Sequence, residues 1–410
     1  MIAPSQILLW QDYLKKRWGI DADLSPLAGE FDLNFLAKSA DGQRCIVKVM
    51  RVDCPHWLVN AQISALEHIR HKSPETPVPR VQNSIASKGS EIVQDHSKKE
   101  RLMWVIKQLP GVCYAKATPK TPQLAGALGN VLGETAKALC DYQNQHLRRN
   151  FKWNLMQAGW IKDQINIIKM SEPRALISEI AADFDAHKPI LDDLNMQVVH
   201  NDANDYNVLV KGELSEPRQI SGLIDFGDIC YSPRVCDLAI GAAYIVLDNP
   251  RPEEMLIAFV SGYHNANALT ALEVDLIWPL MRMRLAVSLV NSIIMAIEKP
   301  DDPYVTISQE PAWRFLEQIQ INKELITAKL RVACGFPVVD CADRVMAWIE
   351  HHRGNFAPLM GCDLSDVPVC SLSVEEVASP RDPFTLPKDE AAEIGVEYSK
   401  AHPIWLGYYN

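Results

Sequence analysis

Short apolar runs that alternate with turn signals fill residues 31–110 and predict a region rich in β-strands. Two of these runs, 31–39 and 43–51, flank an Ala-Asp-Gly turn that favours a hairpin. After Pro55, apolar residues spaced three and four positions apart predict a helix of about four turns that ends before a proline-rich stretch. Further strands are predicted at 81–86, 91–94 and 102–109.

Beyond Pro110 the pattern changes to long segments in which apolar residues recur every three to four positions, as on one face of a helix. One β signal interrupts them, consisting of apolar runs at 198–210 and 220–226 joined by a turn that begins with Lys-Gly. Beyond residue 353 prolines are frequent and the periodicity is weak. The predicted helical segments are 122–146, 175–191, 253–265, 271–297, 312–333 and 341–352.

This order of elements predicts an α+β, bilobal architecture. A small lobe built on an antiparallel sheet occupies residues 1–109, and a larger helical lobe with an inserted catalytic hairpin occupies residues 110–352. Residues 353–410 are interpreted as a linker or appendage. The length of 410 residues allows two to three domains, and 48% hydrophobic with 22% charged residues is an ordinary globular composition.

Charge and cysteine usage narrow the classes of partner. The net charge of −10 excludes a broad basic face for nucleic acid, so an anionic cofactor needs local positive charge or a metal. The ten cysteines are scattered and form no Cys-x-x-Cys, which predicts reduced thiols in a cytoplasmic protein. The N-terminus lacks the features of a signal peptide, and the apolar stretches 238–247 and 285–297 are shorter than the roughly 18 residues of a membrane span. We therefore expect neither nucleic-acid nor membrane binding.

Residues suited to catalysis lie within the β signal. The run His200-Asn-Asp202-Ala-Asn-Asp-Tyr-Asn207 is followed by Asp225-Phe-Gly. Asp202 is placed to accept a proton from an acceptor hydroxyl or to orient it, and Asn207 and Asp225 offer the oxygen ligands that Mg²⁺ prefers. Each residue alone would suit a surface turn, but the spacing and the flanking strands favour a site for phosphoryl transfer. His200 and Asp237 are expected to have structural roles, as organiser and as cap or anchor of this loop.

An anion-binding lysine is predicted upstream. Lys48 lies in an apolar strand, where a charge is costly unless it contacts an anion, and we expect it to hold phosphates. Glu67 on the following helix is the candidate partner of this lysine, and Glu30 and Glu75 also flank the lobe. Backbone groups in two connecting segments are placed to contact the phosphates and the base of a nucleotide. These are Gly29 and Phe31 in a turn with a single glycine, and Gln108 and Leu109 between the lobes.

The ordered set of Lys48, Glu67, His200-x-Asp202, Asn207 and Asp225-Phe-Gly resembles the aminoglycoside phosphotransferase and choline kinase superfamily, whose fold is protein-kinase-like. Within it, segments such as Phe151-Lys-Trp153-Asn154-Leu155 and the stretch from Asp225-Phe-Gly to Asp237 are similar to the hydroxylysine-kinase group. The resemblance covers roughly residues 20–350.

The resemblance implies transfer of a phosphoryl group from ATP or GTP, with Mg²⁺, to a hydroxyl of a small amine or amino acid. Choline, ethanolamine, homoserine and aminoglycosides remain alternative acceptors, and a non-catalytic nucleotide-binding regulatory module is an alternative of another class. The joint presence of Lys48, Asp202, Asn207 and Asp225 argues against that module. A protein kinase is disfavoured, because no Ala-Pro-Glu follows Asp-Phe-Gly and residues 228–237 are too few for a peptide-docking loop.

For the acceptor side, Trp153 and Asn154 are expected to line the site, and Arg282 or Arg284 to receive a carboxylate. Trp153 could equally belong to the core, and each arginine could pair with an acidic neighbour in its own lobe. The stretches around 330–337 and 355–358 resemble those of bacterial relatives in which the kinase is fused to a pyridoxal-phosphate-dependent aminotransferase or phospholyase. The resemblance implies such a fusion, or a partnership with such an enzyme.

Overall fold

The structure is a computed structural model. It describes residues 4–29, 32–212, 217–298, 309–318 and 323–338, together with short pieces at 347–348, 350–352, 354, 369–372 and 406–409. The chain divides into two compact units, of which the first contains Met1–Ala268 and Pro279–Gln318 and the second Leu269–Trp278 and Ile319–Asn410. All the candidate site residues lie in the first unit.

The N-terminal part of the first unit is a six-stranded sheet with two helices, as the apolar pattern predicts. Its strands pair antiparallel in the order β1-β2-β3-β6-β4, with β5 also paired to β6. The predicted hairpin is β2–β3, and its turn places Gly42 at a φ of +84°, a conformation that favours glycine. The elements are α1 (Pro4–Trp18), β1 (Ala22–Leu27), β2 (Leu33–Ser39), β3 (Arg44–Val49), α2 (His56–Lys72), β4 (Val81–Gln82), β5 (Ser90–Gln94) and β6 (Glu100–Lys107).

Helix α1 was not predicted from the sequence, where only a short apolar patch stood out. Its Trp10, Leu14 and Trp18 pack on one face of the sheet, in a core that includes Phe35 and Val47. Because side chains alternate between the two faces of a strand, the residues between these buried positions lie on the opposite face of the sheet. In β3 every second residue, including Val47, is buried against this core, so Lys48 points to the other side of the sheet.

The rest of the first unit is mainly helical. Helices α3 and α6 approach closely, since a Cβ on Gly129 would lie 1.9 Å from the carbonyl oxygen of Phe259. The elements that follow the sheet are β7 (Val112–Cys113), α3 (Pro122–Ala138), a 3-10 segment (Leu155–Ile167), α4 (Ser171–Asp192), β8 (Met196–Val199), β9 (Val208–Lys211), β10 (Gln219–Leu223), β11 (Cys230–Pro233), α5 (Arg234–Ile245), α6 (Pro252–Ala266), α7 (Ala271–Glu298), α8 (Gln309–Gln318) and α9 (Lys323–Ala333).

The predicted β signal is real but divides differently from the prediction. The run 198–210 is not one strand, because residues 200–207 form a loop between β8 and β9. Strand β8 pairs with β11, and β9 pairs with β10 on one side and β7 on the other. The loop leaves the strand conformation because the side-chain oxygen of Asn204 accepts hydrogen bonds from the backbone amides of Tyr206 and Asn207.

Two helix predictions also need correction. The predicted helix 312–333 is at least two helices, α8 and α9, and the predicted helix 122–146 ends at Ala138. Helix α7 is longer than its apolar stretch indicated and is long and apolar enough to cross a membrane. However, 61% of its most apolar window is buried, which is typical of a core helix.

The second unit contributes α9 and a pair of short strands. Arg331 on α9 binds both carboxylate oxygens of Asp275, at 2.6 Å each. Strands β12 (Val369–Leu372) and β13 (Leu406–Tyr409) pair in parallel. Most of the predicted helix 341–352 and of the predicted appendage 353–410 lies outside the described residues.

Candidate active site

The predicted catalytic and metal-binding residues lie on adjoining segments. Asp202 lies in the loop after β8, Asn207 immediately precedes β9, and Asp225 follows β10. The pairing of β9 with β10 brings the last two together, because the amide of Ile224 donates to the carbonyl of Asn207 at 2.8 Å. One antiparallel pair therefore presents two of the three side chains, and the loop that leads into it presents the third.

The carboxylate of Asp202 is held by three donors. Its Oδ1 accepts hydrogen bonds from Arg284 Nη2 and Asn204 Nδ2, both at 3.0 Å, and its Oδ2 accepts one from Asn207 Nδ2 at 2.7 Å. Asn207 Nδ2 also reaches the Asp202 carbonyl at 3.0 Å. Both oxygens of Asp202 are thus fixed in direction, while 23% of its side chain stays exposed.

Opposing electrostatic effects act on Asp202. Burial raises the pKa of its carboxyl, the nearby carboxylates of Asp228 and Asp225 raise it further, and the Arg284 guanidinium lowers it. Burial is the largest of these effects, so the pKa stands above the ordinary value for aspartate. A carboxylate with a raised pKa is a stronger proton acceptor.

His200 makes hydrogen bonds to both loops of the site, and its ring is neutral. Nε2 donates to the carbonyl of Ile224 at 3.0 Å, while Nδ1 accepts from the amide of Asp202 at 3.2 Å. These partners require a proton on Nε2 and none on Nδ1. Complete burial lowers the pKa of His200 to about 4, and its ring meets Phe226 edge to face at 4.7 Å.

Asp237, at the first turn of α5, anchors the same loop from behind. Its buried carboxylate accepts hydrogen bonds from the backbone amides of Asn201, at 2.7 Å, and of His200, at 3.3 Å. Asn201 has a φ of +66°, a left-handed conformation that asparagine tolerates better than most residues. Asp237 thus connects the start of α5 to the loop that carries Asp202.

Asp225 has different surroundings from Asp202. It has a φ of +63°, its side chain is 52% exposed, and its Oδ1 lies 3.4 Å from the ammonium of Lys48. That ammonium is the main reason why the pKa of Asp225 is below its usual value. Lys48 is only 12% exposed and also lies 5.5 Å from the centre of the Trp104 ring. Lys48 thus faces the predicted metal ligand, and the sheet region meets the catalytic loops here.

The donor set fits Mg²⁺ that is shared with a phosphate group. Asn207 uses its amide nitrogen on Asp202, and among the described residues nothing donates to its Oδ1, so that oxygen can serve as a ligand. No cluster of three or more His, Cys, Asp or Glu suited to a metal occurs in the part of the chain that the structure describes. Two oxygen donors without a complete protein cage are typical of Mg²⁺ sites that are completed by phosphates and water.

The other nucleotide candidates have mixed outcomes. Glu67 bonds to Arg70 on its own helix at 2.7 Å, whereas Lys48 pairs with Asp225, so the expected Lys48–Glu67 pair is not formed. Gly29 lies between β1 and β2 in a crowded turn, where a Cβ would come within 2.5 Å of the Asp32 carbonyl oxygen. Phe31 lies outside the described residues.

The segment between the lobes offers fewer free groups than expected. The amide of Gln108 donates to the carbonyl of Arg44 at 3.3 Å and extends the β3–β6 pairing. Among the described residues no backbone partner accepts from the amide of Leu109. At the two predicted base-binding positions, the amide of Gln108 is thus used within the sheet, whereas the amide of Leu109 has no backbone partner among the described residues.

The acceptor candidates divide in a similar way. Trp153 is half-buried beside Arg284, whose guanidinium lies 4.9 Å from its ring centre. Asn154 is buried and caps the 3-10 segment by accepting the amide of Met156 at 3.1 Å. Arg282 pairs with the exposed Glu179 at 3.0 Å, and Arg284 pairs with Asp202. Both arginines therefore form ion pairs with acidic residues of their own lobe, which was the alternative to binding a carboxylate of the acceptor.

Three residues at the site were missed by sequence reasoning. Asn204 was passed over as a turn residue, although it lies between Asp202 and Asn207. Tyr244, on the apolar helix α5, accepts a hydrogen bond from Nε of Arg284 at 3.3 Å. Arg149 donates to the carbonyls of Gly227 and Ile229 at 2.7 and 3.1 Å and so holds the turn after Asp225. Only Asn204 carried a local signal, because the other two join the site through tertiary contacts.

Comparison with known proteins shows which sequences this chain is similar to. The sequence profile described as "Phosphotransferase enzyme family" matches residues 23–274. Hydroxylysine kinase from Danio rerio is 24% identical over 319 residues, which cover 75% of this chain and 89% of that protein.

Solved structures resemble the fold. An amicoumacin kinase in complex with AMP-PNP and Ca²⁺ has a TM-score of 0.57 at 15% identity, over 77% of this chain and 94% of that one. A microcompartment-associated aminopropanol kinase has the same TM-score at 18% identity, over 77% of this chain and 99% of that one. These likenesses confirm the predicted kinase-like α+β fold.

Proposed function

Because the chain belongs to the phosphotransferase enzyme family and is a small-molecule kinase, we propose that it transfers the γ-phosphoryl group of ATP or GTP to a hydroxyl of a hydroxylysine-like amino acid or amino alcohol. The observation that carries the proposal is the convergence of Asp202, Asn207, Asp225 and Lys48 through direct contacts. Hydroxylysine kinases that align with three quarters of the chain support the nature of the acceptor.

On the acceptor side, Asp202 receives the proton of the attacking hydroxyl. As the acceptor oxygen bonds to the γ-phosphorus, the bond from that phosphorus to the β,γ-bridging oxygen breaks and a nucleoside diphosphate leaves. Arg284, Asn204 and Asn207 hold the Asp202 carboxylate in one orientation, so little reorganisation is needed when the hydroxyl arrives. Trp153 provides a wall beside this carboxylate through its contact with Arg284.

On the donor side, Lys48 binds phosphate oxygens, and it lies between Trp104 and the Asp225 carboxylate. Asn207 Oδ1 and Asp225 would hold Mg²⁺, which neutralises charge on the phosphates. Asp225 keeps its carboxylate ionised at all physiological pH values, because Lys48 lowers its pKa. Arg149 fixes the turn that follows Asp225 by binding two of its carbonyls.

A turnover screen tests this function. The purified chain is given Mg²⁺ with ATP or GTP and one acceptor at a time: 5-hydroxylysine, ethanolamine, choline, homoserine or an aminoglycoside. We expect the highest kcat/KM with 5-hydroxylysine, measured by nucleoside diphosphate release and by the mass of the phosphorylated product. A higher kcat/KM with choline or an aminoglycoside would identify that compound as the acceptor in place of 5-hydroxylysine. If none of the acceptors is phosphorylated, the proposal is overturned.

A further inference from the structure

Lys152 is a cation beside the acceptor wall that the catalytic arrangement does not use. Its side chain is exposed, and its ammonium lies 5.7 Å from the centre of the Trp153 ring. The ammonium donates to Oδ1 of Asn291 at 2.7 Å. Asn291 is 3% exposed, and its amide nitrogen donates to Met295 Sδ at 3.3 Å, which orients its oxygen toward the lysine. A buried residue thus holds a surface cation in a defined place.

The charge of Lys152 is not neutralised. In the part of the chain that the structure describes, no carboxylate lies within ion-pair distance of its ammonium, and its oriented partner is a neutral amide. By contrast, Arg282 and Arg284 each pair with a carboxylate. Of the three cations considered on this side, only Lys152 has no carboxylate within ion-pair distance among the described residues.

The backbone around Lys152 is tied to the catalytic loop. The carbonyl of Trp153 accepts from Asn201 Nδ2 at 3.2 Å and from Arg284 Nη1 at 3.4 Å. The carbonyl of Lys152 itself accepts from Trp160 Nε1 at 3.0 Å. Movement of Lys152 relative to Asp202 is therefore restricted on both sides of the peptide.

The spacing along α7 sets a length scale. Arg284, which touches Asp202, and Asn291, which holds Lys152, are seven residues apart on one face of this helix, or about 10 Å along its axis. A hydroxyl carbon and a carboxyl carbon separated by four carbon–carbon bonds lie about 5 Å apart at bond lengths near 1.5 Å. With a carbon–oxygen bond and one hydrogen bond of about 2.8 Å at each end, the span is of the same order as this axial spacing.

We propose that Lys152 binds the carboxylate of the acceptor, so that the acceptor is a hydroxy amino acid with several carbons between its hydroxyl and carboxylate groups. This inference rests on the proposed function and deepens it, because it selects amino acids over amino alcohols. It also transfers to Lys152 the carboxylate-binding role that sequence reasoning had given to Arg282 or Arg284.

The test compares two acceptors that differ only in the carboxylate, 5-hydroxylysine and its decarboxylated analogue. In Lys152→Gln we expect KM for 5-hydroxylysine to rise about 10- to 100-fold, the range of one charge-assisted hydrogen bond, with kcat nearly unchanged. KM for the analogue should stay the same, and Lys152→Arg should recover part of the loss. Lys162→Gln is the matched control, because Lys162 lies on the adjoining 3-10 segment and pairs with Asp185 at 2.8 Å.

The outcomes separate the two proposals. If wild-type enzyme uses the analogue as well as it uses 5-hydroxylysine, or if Lys152→Gln changes KM for both acceptors equally, the Lys152 assignment is overturned while the kinase function stands. If wild-type enzyme phosphorylates neither acceptor nor any other hydroxylated amine, the proposed function fails and the assignment falls with it. Calorimetric titration of 5-hydroxylysine into the Lys152→Gln and Lys162→Gln variants checks the loss of affinity without turnover.

Discussion

The two loops that carry Asp202 and Asp225 are built in opposite ways. In the loop 200–207, Asp202 accepts from three protein donors, two in the loop itself and Arg284 on α7, and the buried carboxylate of Asp237 supports the loop from behind. The turn at 225–229 leaves the Asp225 side chain half-exposed, with one cation at 3.4 Å and a left-handed φ. Burial raises the pKa of Asp202, whereas Lys48 lowers that of Asp225.

Under the proposed function, this difference follows from what each carboxylate would meet. An acceptor hydroxyl brings little charge, so the protein itself has to orient Asp202 and hold it in place. A nucleotide with Mg²⁺ brings its own strong charges, so Asp225 needs only to be ionised and accessible. The first loop is thus preorganised by protein contacts, and the second is completed by its ligand.

Removal of the base should separate the two loops most clearly. Asp202→Asn keeps the shape of the side chain but loses the proton acceptor, and we expect kcat to fall about 10²- to 10⁴-fold. Nucleotide affinity, measured by calorimetry, should change little, because Lys48 and Asp225 are intact. Asp205→Asn in the same loop is the control and should retain turnover; wild-type turnover in Asp202→Asn would show that another group accepts the proton.

The placement of the candidate residues on both loops was predictable from the sequence, while the contacts that support them were not. The spacing of Asp202, Asn207 and Asp225 is local along the chain, and flanking apolar runs show where strands deliver them. The partner of Lys48 was predicted wrongly. From its position on the helix, Glu67 could reach either Lys48 or a basic residue of its own helix. Its carboxylate pairs with Arg70, one helical turn further on.

Tertiary contacts explain the other omissions. Arg284 interrupts an apolar helix, and the sequence correctly marks such a position as special. It cannot show which carboxylate the guanidinium reaches, because Asp202 lies 82 residues away along the chain. Helix α1 was overlooked for a related reason. The helix is stabilised by packing of Trp10, Leu14 and Trp18 against the sheet, and the local sequence does not show that contact.

His200 joins the two loops, so its titration tests the connection between them. Burial lowers its pKa to about 4, from an ordinary value near 6.5. As pH falls below 6.5 the unfolded chain takes up the proton first, so stability is lost progressively down to pH 4, by up to about 3 kcal/mol. Urea unfolding of wild type at pH 7 and pH 4 should include this loss.

His200→Gln should reduce that difference between the two pH values, although the variant is less stable at pH 7. The exposed His96 provides the control, since His96→Gln should leave the wild-type difference in place. An unchanged difference in His200→Gln would show that the ring is not the group that takes up the proton on unfolding.

The turn at 225–229 should respond to its ligand more than to the protein. Asp225→Asn removes a proposed Mg²⁺ ligand and the ionic partner of Lys48, so we expect the Mg²⁺ concentration for half-maximal turnover to rise about 10- to 100-fold. High Mg²⁺ should restore part of the rate. Asp228→Asn, which changes a neighbouring carboxylate, should raise this Mg²⁺ concentration less. An equal rise in both variants would contradict the assignment of Asp225 alone as the Mg²⁺ ligand of this turn.

Arg284 tests whether preorganisation itself contributes to the rate. Arg284 is 2% exposed, and its guanidinium donates to Asp202, Tyr244 and the carbonyl of Trp153. Arg284→Gln leaves Asp202 with two amide donors, so we expect kcat to fall about tenfold, equivalent to about 1.4 kcal/mol, with KM for the nucleotide unchanged.

Arg284→Lys restores the charge but not the three-way geometry, so it should recover less than half of the lost free energy if orientation is the larger contribution. Full recovery with Lys would instead mean that the positive charge near Asp202 is what matters. In that case the contrast between a preorganised loop and a ligand-completed loop would reduce to one of electrostatics, since each carboxylate would need only a nearby cation, Arg284 for Asp202 and Lys48 for Asp225.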